Sequence, residues 1–560
     1  HRMSRRTWGY FEAFMSVENN WLPPDNYQEE PVEALARRTS PTNIGLALLS
    51  NLTAYDFGYI NMGELLDRTN KTIQTLLKHE SYRGHLYNWY STETLEPLNP
   101  RYISSVDSGN LAGDFLTLRQ GLFALCDDPL LSTRYLDGLK DTFGVLSTMT
   151  AKPLPEPYKC FRQRLRDAYN SFSTASNALD CCKTLCESAS EIFKIAPDKA
   201  TKWAKKLQLE CNKLYDEIKI FSSLPQFDAK TTLHGLRDTS LNHLYETRMS
   251  LIDALTKDIN SLSQMDMSFL FDQSSHLLSI GYNVDSQQRD PGSYDLLSSE
   301  ARLGSFVAIA QGQALQESWF ALGRLLVSNG TEPLLISWTG SMFEYLMPLL
   351  IMPTYSGTLL DQTCQVAVQR QIAYGKQRNV PWGISESAFN AVDTSYNYLY
   401  RAFGVPGLGL RRGLEDDLVI APYASVLALM IAPEAACANL QRLAAEYAVG
   451  KYGFYEAIDY TISRLPRDAH RVIIRSFMAH HQGMSLLAFS YFLHQQPMQK
   501  RFVADPLFQA TLLLLQERIP KPTSSYLQIP KAPEENQNYI RSEDSMRVFT
   551  TPNTRTPQVQ

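Results

Sequence analysis

Four glutamates in loops beside aromatic residues are the side chains of this 560-residue chain best suited to acid–base or nucleophilic chemistry. Breaking or transferring a glycosidic bond needs two carboxyl groups, one to protonate the leaving oxygen and one to attack the anomeric carbon or activate water. An apolar wall can raise the pKa of such a carboxyl, and an aromatic face can stack on a sugar. Taken singly, each is more often a helix cap or an ion-pair partner, but their number and shared setting favour carbohydrate chemistry. They are Glu300 in YDLLSSEARL, Glu344 in SMFEYLMP, Glu386 in WGISESAFN and Glu456 in YGFYEAIDY.

Other motifs that could carry chemistry have weaker support. His480 and His481 in MAHHQGMS point about 100° apart on a helix and lack H-E-x-x-H spacing, so we interpret them as hydrogen-bonding residues and expect no metal site. The stretch FGVPGLGLRRG lacks the lysine and the strand-then-helix context of a phosphate loop. Ser108 and Ser385 do not lie in nucleophile-elbow patterns, which argues against a serine hydrolase.

Composition excludes several classes of function. The net charge of −5 and the lack of a basic block argue against a nucleic-acid partner. The eight cysteines form no C-x-x-C pair, so we interpret them as thiols rather than as zinc ligands or a disulfide framework. The most apolar segments are shorter than about 20 residues and broken by proline, which predicts no membrane span in this sequence.

The elements that must position the glutamates are predicted to be helices. Apolar residues recur at three- and four-residue steps in NIGLALLSNLTAYDFGYI and GELLDRTNKTIQTLLKHE, and strand-like alternation is sparse. We therefore expect an all-α array of helical hairpins with its loops gathered at one rim. Helices from about 30–125 and 281–516 should build it, and the charged amphipathic helices of 130–275 should pack outside it.

A chain of this length should contain more than one packed region. We expect N-terminal barrel helices at 1–128, a charged helical insertion at 129–280, a catalytic barrel part at 281–520 and a proline-rich linker toward a following module at 521–560. His1 and Arg2 before a methionine suggest a piece cut from a longer protein.

A series of motifs in fixed order gives the sequence a specific resemblance. RRTSPTNIGL, YRGHLYNWY, SSVDSGNLAG, YDLLSSEARL, SMFEYLMP, WGISESAFN, FGVPGLGL, YGFYEAIDYT and MAHHQGMS resemble the central glucoamylase-like region of cyclic β-1,2-glucan synthases. The resemblance covers about 5–520 and is weakest across the charged helices of 130–275. It implies an (α/α)6 barrel with an additional helical region, and an anomer-retaining transglycosylase that needs no cofactor.

The resemblance also implies a setting for the chain. In the whole protein a membrane-embedded glycosyltransferase would make linear β-1,2-glucan, this region would cyclise it, and a phosphorylase-like module would adjust its length. The implied partners are linear and cyclic β-1,2-glucan and those two modules, and the implied location is the cytoplasmic face of the bacterial inner membrane.

Carried over by motif, the resemblance implies that Glu386 is the nucleophile and Glu300 the acid/base. The chain's own non-reducing-end 2-hydroxyl would then close the ring on the covalent glycosyl-enzyme. We expect the substrate-binding residues to surround one cleft with this pair. They are Trp89, Asp107, Trp338, Glu344, Trp382, Arg401, Tyr455, Glu456 and His481.

Two other functions remain open from the sequence. An endo-β-1,2-glucanase would hydrolyse the same chain, and a non-catalytic scaffold would bind the glucan and pass it between modules. Rings, linear oligosaccharides or unchanged polymer as products would separate the three hypotheses.

Overall fold

A computed structural model describes residues 1–224, 227–328, 332–414 and 416–520, together with the backbone of 527–528. The predicted linker at 521–560 therefore lies outside the described residues, apart from that backbone. In the described part, the α-helices are α1 Arg2–Phe14, α2 Pro41–Asp56, α3 Met62–Leu76, α4 Ser105–Ala124, α5 Arg134–Thr148, α6 Glu156–Ser171, α7 Ala175–Ile195, α8 Asp198–Phe221, α9 Asn242–Leu262, α10 Ala301–Ala310, α11 Glu317–Ala321, α12 Met342–Leu346, α13 Leu359–Gln377, α14 Pro422–Leu427, α15 Pro433–Ala445, α16 Ala479–Leu493, α17 Pro497–Ala504 and α18 Pro506–Gln509.

Short strands occupy the loops between these helices. They are β1 Asn26–Gln28, β2 Ala34–Ala36, β3 Arg38–Thr39, β4 Ser81–Tyr82, β5 His85–Leu86, β6 Tyr90–Ser91, β7 Tyr102–Ser104, β8 Phe271–Asp272, β9 Leu277–Leu278, β10 Gly281–Asn283, β11 Gln288–Arg289, β12 Leu326–Ser328, β13 Pro333–Leu335, β14 Ser387–Val392, β15 Tyr398–Arg401, β16 Val419–Ile420, β17 Val449–Gly450, β18 Gly453–Phe454, β19 Ala457–Asp459, β20 Val472–Ile474, β21 Ser476–Met478 and β22 Leu527–Gln528. They form sheets of two or three strands, such as the antiparallel pair β14–β15 and the sheet β16–β19–β20.

Six helices form a closed inner ring. α4 packs against α2 and α10, α2 against α16, α16 against α14, and α14 against α12. The ring closes through Arg302 of α10, whose guanidinium donates to the backbone oxygens of Glu344 at 2.9 Å and Tyr345 at 2.5 Å in α12. α2, α4 and α16 are apolar and buried on nearly every side, as expected for helices enclosed by a second layer.

An outer layer of helices covers this ring. α1 packs on α16, α3 on α2, α9 on α4, α13 on α12, and α15 on α14. The fold is the (α/α)6 barrel, and just over half of the chain, 53%, is helical. The fold class implied by the motifs is thus confirmed.

The charged helices α5–α8 pack against one another and reach the barrel through α1. Arg5 of α1 is fully buried and makes ion pairs with Glu12 and with Glu210 of α8. α9, from the same stretch, instead lies against α3 and α4. The domain boundaries expected at 128, 280 and 520 stay predictions.

Candidate active site

The amino-terminal ends of the six inner helices meet at one rim of the barrel. Short polar side chains begin several of them: the Ser40, Ser104 and Ser341 side chains accept backbone N–H groups at the starts of α2, α4 and α12. Unpaired backbone N–H groups and the helix dipole make such ends favourable surroundings for negative charge. All four glutamates predicted from the sequence lie at this rim or in loops that contact it.

Glu300 is the residue that precedes α10, and it is 5% exposed. It accepts a hydrogen bond from Asn110 Nδ2 of α4 at 3.1 Å and another from Ser299 Oγ. Burial and the negative charge of Asp107 raise the pKa of Glu300 to about 7, although the hydrogen bonds oppose the rise. A carboxyl with this pKa can hold a proton and give it up near neutral pH.

Glu386 lies just before β14 and is the most accessible of the four glutamates. Among the described residues, its carboxyl has one hydrogen-bond donor, the Tyr400 hydroxyl at 3.1 Å from Oε2. Burial and the nearby charges of Glu300 and Glu344 raise the pKa of Glu386 to about 8. Its second oxygen therefore remains available to a substrate.

Glu344, in the first turn of α12, is 3% exposed and its oxygens are already engaged. Oε2 accepts from Thr339 N at 2.9 Å, Thr339 Oγ1 at 2.5 Å and Gly340 N at 3.2 Å, and Oε1 accepts from Ser299 N at 3.4 Å. Burial raises the pKa of Glu344 against these hydrogen bonds. This carboxyl ties the loop before α12 to the loop that carries Glu300.

Glu456 and His481 form a buried pair. His481 Nδ1 lies 3.0 Å from both Glu456 oxygens, and Ala388 N donates to Oε1 at 3.2 Å. Burial raises the pKa of Glu456 to about 8 and holds the pKa of His481 well below its ordinary value. The His481 ring stacks on Tyr423 of α14, with ring centres 3.6 Å apart.

Asp107 belongs to a hydrogen-bond network that leads to Glu300. The Thr42 hydroxyl of α2 donates to Asp107 Oδ1 at 2.6 Å, and Asn110 Nδ2 lies 3.3 Å from Thr42 Oγ1 while it also donates to Glu300. Tyr294 feels the same carboxyls: burial raises the pKa of its hydroxyl, and the negative charges of Glu300, Asp107 and Glu386 add to that rise.

The remaining predicted substrate-binding residues lie at different distances from the glutamates. Arg401 pairs across the hairpin with Ser387, next to Glu386, and its guanidinium pairs with Asp417. Trp338 is half exposed and directly precedes Thr339, the residue that holds Glu344. Both positions are compatible with the predicted cleft wall.

Trp382 is buried beside α13 and α15, where its backbone pairs with the Asn439 side chain and its side chain packs on Gly375. It supports the segment that leads to Glu386. Tyr455 donates to Glu29 at 2.7 Å, and Trp89 lies against Arg38, 4.7 Å from the ring centre.

Sequence reasoning missed the tyrosines that contact the glutamates. Tyr400 donates to Glu386, while the Tyr423 hydroxyl donates to the backbone oxygen of Glu386 at 3.0 Å and lies 2.8 Å from Ser385 Oγ. Tyr400 directly precedes Arg401, and Tyr423 follows the proline that begins α14. A search for hydroxyls beside the predicted loops, rather than for carboxyls alone, would have found both.

The four glutamates therefore fall into two classes. Glu300, Glu344 and Glu456 are buried and accept hydrogen bonds from other residues, whereas Glu386, on the same rim as Glu300, is partly accessible and has one described donor. A protonated carboxyl near an accessible one supplies the acid and the second carboxylate that glycoside chemistry requires. Among the described residues, no three His, Cys, Asp or Glu side chains are grouped to hold a metal ion, and no helix is long and apolar enough to cross a bilayer.

Comparison with known proteins identifies related sequences. Residues 293–505 match the Glycoamylase family, described as "Putative glucoamylase". The chain is 40% identical over 543 residues to the cyclic beta-(1,2)-glucan synthase of Rhizobium meliloti (strain 1021). This alignment covers 93% of the chain but 18% of that synthase. The resemblance drawn from the motifs is confirmed.

Solved structures share the fold. An endo-beta-1,2-glucanase from Chitinophaga pinensis superposes with a TM-score of 0.55 at 14% identity, over 92% of this chain and 96% of that one. The endo-beta-1,2-glucanase of Talaromyces funiculosus superposes with a TM-score of 0.54 at 12% identity, over 95% of this chain and 93% of that one.

Proposed function

We propose that this chain, which carries a glucoamylase-like domain and resembles the central region of cyclic β-1,2-glucan synthases, is an enzyme that acts on β-1,2-glucan. The observation that carries the proposal is the arrangement of Glu300 and Glu386 at the rim of the barrel. The 40% identity to the synthase supports β-1,2-glucan as the substrate.

The finer proposal is a retaining transglycosylase. Glu386 attacks the anomeric carbon of an internal glucose, so that an ester bond forms to Glu386 while the glycosidic bond breaks. Glu300 gives its proton to the departing oxygen. The pKa of about 7 suits this step, because the proton is present before the reaction and leaves as charge builds on the oxygen.

The second step closes the ring. The 2-hydroxyl at the non-reducing end of the same chain attacks the anomeric carbon, gives its proton to Glu300 and displaces Glu386. Ring closure competes with water only if the acceptor end is held at a high effective concentration. Trp338 and Arg401 are our candidates for residues that hold the glucan there.

Hydrolysis of the same polymer is the second candidate. It is favoured by the shared fold with two endo-beta-1,2-glucanases. Water would then replace the 2-hydroxyl, and the products would be linear.

We also propose that the chain works within a larger protein, beside glycosyltransferase and phosphorylase-like modules at the inner membrane. It spans 18% of the length of its synthase relative, which leaves room for such modules there.

Proton NMR of the reaction mixture tests the stereochemistry. A retaining enzyme given linear β-1,2-glucan should form new linkages, and any first-formed reducing ends, in the β configuration. First-formed α reducing ends would contradict the retaining mechanism and leave β-1,2-glucan as the substrate.

A further inference from the structure

A continuous line of hydrogen-bonding side chains connects buried Glu456 with Glu386. Glu456 lies 3.0 Å from His481 Nδ1, His481 Nε2 lies 3.3 Å from the Tyr400 hydroxyl, and that hydroxyl lies 3.1 Å from Glu386 Oε2. Glu456 lies in the loop before β19, His481 in α16 and Tyr400 in β15, and Glu386 directly precedes β14. We call Glu456, His481 and Tyr400 the relay.

When Glu386 and Glu456 hold one proton between them, the donors in this line can point in two ways. Tyr400 has one hydroxyl proton, and neutral His481 has one ring proton. When Tyr400 donates to an ionised Glu386, its oxygen accepts from His481 Nε2–H, which leaves Nδ1 without a proton. Nδ1 then accepts a hydrogen bond from the Glu456 carboxyl, so with one proton on the pair an ionised Glu386 goes with a protonated Glu456.

Moving each proton one position along the line gives the second arrangement. The Glu456 proton passes to Nδ1, the Nε2 proton passes to the Tyr400 oxygen, and the Tyr400 proton passes to Glu386. Glu456 becomes the carboxylate and Glu386 the acid, while His481 and Tyr400 are neutral before and after. The site's net charge is unchanged, so no second buried charge is created.

We propose that the relay stores on Glu456 the proton that Glu386 must lose before it attacks a glycosidic bond. This inference rests on the proposed role of Glu386 as nucleophile. Glu456, His481 and Tyr400 are positioning residues in it, because they act on the reaction through Glu386.

The proposal resolves a conflict within the site. Burial raises the pKa of both Glu386 and Glu456 to about 8, so ionising the two carboxyls together is disfavoured, and a protonated Glu386 is a poor nucleophile. When the pair holds one proton, the hydrogen-bonded line lets that proton lie on Glu456 and leaves Glu386 ionised, without release of the proton to solvent.

Other charged and titratable groups face the two ends of the relay. Glu386 faces Glu300 and Glu344, and Glu456 faces His480 and Asp25. His480 Nε2 also lies 3.3 Å from the Tyr400 hydroxyl, but a neutral imidazole accepts more weakly than an ionised carboxylate. The Tyr400 proton therefore points to Glu386 whenever Glu386 is charged.

Glu456→Gln is the most informative variant because its orientation is fixed. Ala388 N–H needs an acceptor, so the new amide oxygen should face Ala388 and the NH2 group should donate to His481 Nδ1. The glutamine then has the hydrogen-bonding pattern of protonated Glu456, so the ring proton of His481 stays on Nε2 and the Tyr400 hydroxyl keeps donating to Glu386. We expect the acid limb of the kcat–pH profile to move down by about one pH unit.

Tyr400→Phe should have the opposite effect. Glu386 loses its one donor, so its ionised form is less stable and the acid limb moves to higher pH, with kcat reduced roughly tenfold to a hundredfold and KM little changed. Tyr423→Phe is the matched control, because its hydroxyl bonds the Glu386 backbone oxygen and not the carboxyl. That variant should leave the acid limb in place.

Nitrogen-15 NMR of the His481 ring tests the relay without any substrate. The ring proton should lie on Nε2 at pH 6 and on Nδ1 at pH 10 in the wild type, and on Nε2 at both pH values in Glu456→Gln. Its signal is identified by its loss in His481→Gln, and thermal melts confirm that each variant is folded.

These outcomes separate the two proposals. If the protein does not act on β-1,2-glucan but the ring proton moves as described, the relay stands and the proposed function falls. If the protein is active, a ring proton on Nδ1 in Glu456→Gln, or an acid limb unmoved in both Glu456→Gln and Tyr400→Phe, overturns the relay.

Discussion

At the residue scale, the four glutamates differ in how much of their hydrogen-bonding capacity is already used. Glu344 accepts four hydrogen bonds from its own and a neighbouring loop, and Glu456 is held by His481 and Ala388. Glu386 has one described donor, and Glu300 is held in a state that can carry a proton. These contacts agree with the choice of Glu300 and Glu386 made from the motifs, and the assignment stays a prediction.

Substitution of the two carboxyls separates their roles. Glu386→Gln should abolish both ring formation and hydrolysis, because no glycosyl-enzyme can form. Glu300→Gln should be inactive on β-1,2-glucan but keep turnover on a glucoside with a good leaving group, which needs no acid. Both are measured as initial rates on the two substrates. Near-normal cyclisation by Glu386→Gln, with activity lost in Glu344→Gln, would refute the choice of nucleophile.

The raised pKa values also make stability depend on pH. Glu456 has a pKa of about 8 in the folded protein against an ordinary value of 4.5, so the folded state binds more protons between these values. The stability that its protonation contributes is fully present below pH 4.5 and is lost as pH rises through about 8. Glu456→Gln stays neutral throughout, so its melting temperature relative to wild type should be higher at pH 8.5 than at pH 5. A difference independent of pH would contradict the raised pKa.

At the element scale, two inner helices approach each other at paired glycines. A Cβ on Gly109 of α4 would lie 2.3 Å from the Cα of Gly304 in α10, closer than any side chain can be accommodated. This contact sets the distance between Asp107 and Asn110 on one helix and Glu300 at the start of the other. The SSVDSGNLAG motif therefore serves packing as well as chemistry.

Gly109→Ala should push α4 away from α10. We expect a loss of about 1–3 kcal/mol in the free energy of unfolding, together with lower activity because Asn110 is drawn away from Glu300. Gly144→Ala in α5 is the matched control: its Cβ would meet only the Arg2 side chain at 3.4 Å, and alanine favours a helix. Denaturant unfolding and initial rates measure both effects. Equal stability of the two variants would show that the helix contact is not tight.

The sequence predicted the elements better than the contacts between them. Helical periodicity indicated the buried runs that became α2 and α3, since the apolar spacing of a helix is local information. The turn of hairpin β14–β15 has a local signal, since the Asp393 side chain accepts from the backbone N–H groups of Ser395 and Asn397, but that signal does not show that Tyr400 will meet Glu386. Trp382, predicted from its motif to bind substrate, is buried, and the Asn439 side chain of α15 that holds its backbone lies 57 residues further along the chain, where the motif gives no sign of it.

At the scale of the whole molecule, the barrel gathers six helix starts at one rim, and this arrangement gives five acidic residues a common site. Their mutual repulsion would destabilise such a cluster in isolation, but helix amino termini and donors such as Asn110, Thr339 and Tyr400 offset part of it. Because the glutamates lie in widely separated loops, no local feature of the sequence joins them. Their motifs could be assigned to one site only because a similar family has the same motifs in the same order.

The most direct test of the central claim is mass spectrometry of the products formed when the purified chain is incubated with linear β-1,2-glucan. We expect rings, seen as species lighter by one water than linear chains of equal length, and no rings with Glu386→Gln. Linear oligosaccharides alone would contradict cyclisation and favour the endo-glucanase. Unchanged polymer would contradict an enzymatic function and leave a glucan-binding scaffold.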